Sequence, residues 1–110
     1  MKKLVLSMAG ALAMIGVHTP AVAAANHYNK IVEDVHVHSG GTCILFRLNG
    51  VALADPSSTN EPWIALSRDH PAFAEMFAIL LTGAASKRTM NVHLSGMTCS
   101  TPAAFIVALN

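Results

Sequence analysis

Asp69-His70-Pro71-Ala72-Phe73-Ala74-Glu75-Met76-Phe77-Ala78-Ile79-Leu80-Leu81-Thr82-Gly83-Ala84-Ala85-Ser86-Lys87-Arg88-Thr89-Met90-Asn91-Val92-His93-Leu94 contains two periods in direct succession. In its first half Phe73, Met76, Phe77, Leu80, Leu81 and Ala84 fall at the i, i+3, i+4, i+7, i+8 spacing of a single helical face. Asp69 is the expected N-cap, Pro71 fits only a first turn, and Glu75 lies near the positive end of the helix dipole. Lys87 and Arg88 lie past its negative end. Met90, Val92 and Leu94 then alternate with Asn91, His93 and Ser95, so the period drops from about 3.6 to 2. A helix feeding one strand, each with an apolar face to cover, predicts a mixed fold.

Upstream, Ile31 to His38 alternates and predicts a strand with Val35 and Val37 on its inward face. Ser39-Gly40-Gly41 is a turn by composition, because glycine takes positive φ without steric cost. Thr42 to Leu48 is then the returning strand, with Ile44, Phe46 and Leu48 sharing a face. Asn49-Gly50 is a strong turn signal, after which Val51 to Ala54 is read as a short continuation. Asp55 to Pro62 is a polar loop, and Trp63 to Ser67 a third strand leading into the helix. Downstream, Gly96 to Pro102 reads as a loop. Ala103 to Leu109 reads as a final strand apolar on both faces, with Phe105, Val107 and Leu109 inward and Ile106 outward.

Strand, strand, strand, helix, strand, strand is the order of the oligonucleotide/oligosaccharide-binding (OB) barrel. The expectation is therefore an α+β, mainly β domain over residues 24–110, an OB-like five-stranded barrel with one helix between strands 3 and 4. Another α+β sandwich with the same order is the competing fold. Residues 1–23 read as a signal peptide: Met1-Lys2-Lys3 is basic, Leu4 to Val17 is apolar, and a tract of small residues follows. Cleavage fits before Ala24 or as late as before Asn26. The apolar run is shorter than the roughly 20 residues that span a bilayer, so stable membrane insertion is not expected. A secreted or periplasmic product follows.

Without the leader, five basic residues face six acidic ones. A chain that is not basic attracts phosphate backbones weakly, which argues against nucleic acid as a partner even on an OB-like fold. Cys43 and Cys99 are the two cysteines of the chain. In an oxidising compartment they predict one intramolecular disulfide, worth roughly 4 kcal/mol in the chain-entropy model.

No nucleophile elbow, phosphate loop or zinc-protease motif is present, and Glu33 and Asp34 point to opposite strand faces. The expectation is a binding protein rather than an enzyme, with no cofactor. Two sets of residues are candidates for binding. His36 and His38 share a strand face about 6 to 7 Å apart, and His93 holds the outward phase of a strand that neighbours theirs in an OB barrel. Three imidazoles on one patch suit zinc or copper; solvated polar residues on the outside of a sheet are the plainer reading. Trp63 is the one tryptophan of the chain and stands beside the polar loop with Asn60 and Glu61. An indole there can stack on a sugar or anchor a protein, or simply line the core.

His27-Tyr28-Asn29-Lys30, Cys43 in the second strand, the helix with Phe73, Met76 and Phe77, and the Ser86-Lys87-Arg88 exit into Met90-Asn91-Val92 carry a resemblance. Over about Asn26 to Leu109 the chain resembles the small binding (B) subunits of pentameric AB-type bacterial toxins, the pertussis-like and subtilase cytotoxin-like group. That resemblance implies an OB barrel, assembly into a homo- or hetero-pentamer, and recognition of a host glycan. It transfers no individual binding residue. The leading functional expectation is a secreted or periplasmic, disulfide-bonded binding protein for a glycan or protein partner. The second is a periplasmic metal-binding or stress protein using His36, His38 and His93.

Overall fold

The computed structural model describes residues 25–37, 40–57 and 59–110. The expected leader, residues 1–23, lies outside the described residues. The elements run β1 (Asn26–Val37), β2 (Cys43–Leu48), β3 (Trp63–Ser67), α1 (Phe73–Ser86), β4 (Thr89–Thr98) and β5 (Thr101–Leu109). The five strands form a mixed sheet that closes in a ring in the order β1-β2-β3-β5-β4. All neighbours are antiparallel except β3 and β5, which meet in parallel at one bridge, Ala65 with Ala103.

The core sits inside the ring. Ile44, Phe46 and Leu48 of β2, Ile64 and Leu66 of β3, and Met90, Val92 and Leu94 of β4 are buried, as period-2 alternation requires. From α1, Met76, Leu80 and Gly83 are buried while Phe73, Phe77 and Ala84 pack against the core from partly buried positions. A methyl group on Gly83 would stand 2.4 Å from Met90 Cε and 3.3 Å from Leu109 Cδ1, so the missing side chain lets the helix approach the ends of β4 and β5. Leu81, expected on the buried face, is 45% exposed.

Five expectations are corrected. The helix begins at Phe73 and not after Asp69; Ala72 is its N-cap, without a side-chain cap. Pro71 disfavours helical backbone at the residue before it. Asp69 instead lies in a turn where its N–H donates to Ser67 Oγ, and the His70 ring accepts from the Ala72 N–H through Nδ1 at 3.0 Å.

In β1 the register shifts between Val32 and Asp34, so Glu33 is an extra residue against β2. Strand phase therefore switches there, so that Val32 is buried while Val35 packs on the core; Val37, expected inward, keeps the phase of Val35 but ends the strand and is 63% exposed. A second shift in β4 and β5, between His93/Ile106 and Leu94/Ala104, leaves Phe105 unpaired with β4. Phe105, expected inward, is exposed beside Ile106, while Ala104 and Val107 are buried. Finally, Val51 to Ala54 forms no strand, and Gly96 to Pro102 is no open loop. There β4 and β5 run on to the pair Thr98–Thr101 and join through Cys99 and Ser100, at φ 50° and 57°. Two consecutive left-handed residues are what a type I′ hairpin turn needs.

Candidate functional site

The segment before β3 is long and polar, yet it is held at several points. Asp55 is buried; its Oδ1 accepts from the Ser57 N–H and hydroxyl at 3.1 and 2.7 Å, and its carbonyl accepts from the Thr59 N–H. The Ala54 N–H donates to the Glu61 carbonyl at 3.0 Å, and His27 Nε2 reaches across from β1 to the Ala54 carbonyl at 2.7 Å. These bonds fix the segment's course as it enters β3, so Asn60, Glu61 and Trp63 project from an ordered support.

Opposite them stands the β4–β5 turn, tied down from the other side. Cys99 is bonded to Cys43 at the start of β2, as the cysteine count predicted. Between the two supports lies a cleft of about 260 Å³. One wall is Thr59, Asn60, Glu61 and Trp63; the other is Ser100, Thr101 and Pro102. The Asn60 amide, the Glu61 carboxylate and the Ser100 hydroxyl carry no hydrogen bond or ion pair among the described residues.

Trp63 is half-buried and belongs to two surfaces at once. On the outside of β1, β2 and β3, Asp34 pairs with Arg47 and Arg47 with Trp63, forming a cross-strand row. The Arg47 guanidinium lies 5.8 Å from the indole centroid, and the exposed His36 ring lies 4.7 Å from it, tilted by 44°. Arg47 is also committed to acids: Nε donates to Asp34 at 3.0 Å, a second nitrogen contacts the same carboxylate, and Glu33 lies at 3.2 Å. The Asp34 hydrogen bond, with the charges of Asp34 and Glu33, raises the Arg47 pKa above its ordinary value.

Of the two candidate sets, the structure assembles one. Asn60, Glu61 and Trp63 line one cleft. The histidines are not brought together: His93 pairs with Asn26 at the start of β1, ten residues from His36, and packs edge-on against Tyr28 at 5.5 Å. His38 lies outside the described residues. Among the described residues no three His, Cys, Asp or Glu side chains form a metal-binding group. The shared patch failed because β1 is 12 residues long and β4 pairs with its first part, whereas β2 pairs with its last.

Sequence reasoning missed Ser100, Thr101 and Pro102. A Cys-Ser turn lacks the Asn-Gly or Asp-Gly signal of a two-residue hairpin. The available signal was the disulfide itself, which had to carry Cys99 to the beginning of β2, the strand that neighbours β3. No protein-family model, curated protein or solved structure matches this chain.

Proposed function

We propose that this chain is a secreted or periplasmic binding subunit of OB type that holds a glycan in the cleft between Trp63 and the β4–β5 turn. The observation that carries this reading is the cleft, where an indole meets amide, carboxylate and hydroxyl groups that are unpaired among the described residues, on two braced supports. Sugars are bound by that combination: an aromatic surface for their C–H faces and a few fixed polar groups for their hydroxyls.

The ring order, the parallel β3–β5 contact and the helix between β3 and β4 support the OB assignment. In OB folds the β2–β3 surface and the loops joining β1 to β2 and β4 to β5 are the usual binding region, and Trp63 and Ser100 lie there. The resemblance to toxin B subunits adds assembly into a pentamer. Exposed Phe105 and Ile106 on β5 are apolar surface for a subunit contact. The disulfide fits an oxidising destination.

The test is binding of purified protein to a glycan array, with Trp63→Ala in parallel. Wild type should bind, and the variant should lose binding while costing no more than about 1–2 kcal/mol of stability. A fully buried ring would cost about 3 to 5. A variant that retains binding, or that unfolds, removes Trp63 from the site.

A further inference from the structure

We infer that the cleft selects uncharged, hydroxyl-rich sugars and disfavours ligands bearing a carboxylate. This rests on reading the cleft as a glycan site and specifies what that site accepts.

The argument begins with the charges around the indole. The cleft lining contains one ionisable side chain, Glu61, and no Lys, Arg or His. Glu61 is exposed, and its carboxylate carries no hydrogen bond or ion pair among the described residues. A carboxylate is purely an acceptor, with two oxygens able to take hydrogen bonds from two hydroxyls of one ring. The hydroxyls of Ser100 and Thr59 and the amide of Asn60 complement it, since each can both donate and accept.

The nearest cation does not alter that balance. Arg47 sits against Trp63, but Asp34 and Glu33 both engage its guanidinium, so the group around it is net acidic. His36, the other polar ring on the indole, is exposed on the outer sheet surface, among Glu33 and Asp34 of its own strand and Arg47 of β2. A ligand carboxylate entering the cleft would lose part of its hydration, meet Glu61 and find no uncommitted cation in the lining. A neutral sugar makes the same contacts without that penalty. A ligand recognised chiefly through an ammonium group would leave the Asn60 amide, and the Ser100 hydroxyl of the opposite wall, unused.

The experiment is an array at pH 7.5 carrying matched pairs: neutral oligosaccharides, their sialylated or uronic-acid-bearing extensions, and amino-sugar analogues. Wild type should favour the neutral member of each pair by about threefold or more, the effect of one like charge nearby in a water-exposed site. Glu61→Gln should narrow the ratio between neutral and carboxylated members toward one. Trp63→Ala should lose both. Binding dominated by carboxylated or by free-amine glycans would overturn the charge selection while leaving a glycan site in place. A ratio unchanged in Glu61→Gln would overturn the role of Glu61. No binding to any member overturns the inference together with the glycan reading beneath it, and so remains distinct from a reversed preference.

Discussion

Neighbouring residues in α1 separate packing from solvation. Leu80 is fully buried and Leu81 is 45% exposed, although both belong to the same apolar run. Leu80→Ala should cost about 2 to 5 kcal/mol by chemical denaturation, and Leu81→Ala under about 1 kcal/mol. Equal losses would mean that the helix is rotated about its axis. Gly83 makes a different demand. The space a side chain would need is filled by the buried Met90 and by Leu109, so Gly83→Val should cost roughly 1 to 3 kcal/mol through overpacking, outweighing valine's better helix propensity. A more stable Gly83→Val protein would show that α1 can shift away from the ring.

The helix and the alternation in β2, β3 and β4 were legible because each is a long run of one period with punctuation at its ends. The register shifts at Glu33 and Phe105 were not. Glu33 and Phe105 each insert one residue into a strand, and no local signal marks the insertion because apolar residues continue on both sides. The shift at Glu33 turned Val32 inward and the shift at Phe105 moved that residue from expected core to surface, while Val37 is exposed because it ends β1. The helix start was misplaced for a related reason: Asp69 is a good capping residue by type, but Pro71 delays helical backbone and His70 takes the hydrogen-bonding role. The cleft was half legible. Asn60, Glu61 and Trp63 stood out by composition, whereas its other wall depends on which turn the disulfide draws alongside. At this scale the disulfide itself is testable: Cys43→Ser with Cys99→Ser should lower unfolding free energy by about 4 kcal/mol in the chain-entropy model. Thiol alkylation of the folded wild type should find both cysteines protected, as the bond requires.

For the whole molecule, the pentamer expected from the toxin-subunit resemblance is checked by the native mass in solution. If β5 forms the subunit contact, Ile106→Lys should give a folded protein of monomer mass, because the side chain is 46% exposed in the single chain and its loss leaves the core intact. A wild type that already sediments as a monomer would remove the ring and leave the cleft. The closure of the sheet has a further consequence. Four strand neighbours are joined by ladders of several pairs, but β3 and β5 meet at the single bridge of Ala65 with Ala103. That bridge is a latch, the place where native-state breathing should begin. The Cys43–Cys99 bond spans it like a chain across a door: Cys43 pairs with Ser67 at the end of β3, and Cys99 precedes β5 by two residues. Amide exchange near Ala65 and Ala103 should therefore accelerate on reduction before the β1–β2 amides respond, so that a loss of cross-linking is felt first as a widening of the cleft that borders the latch.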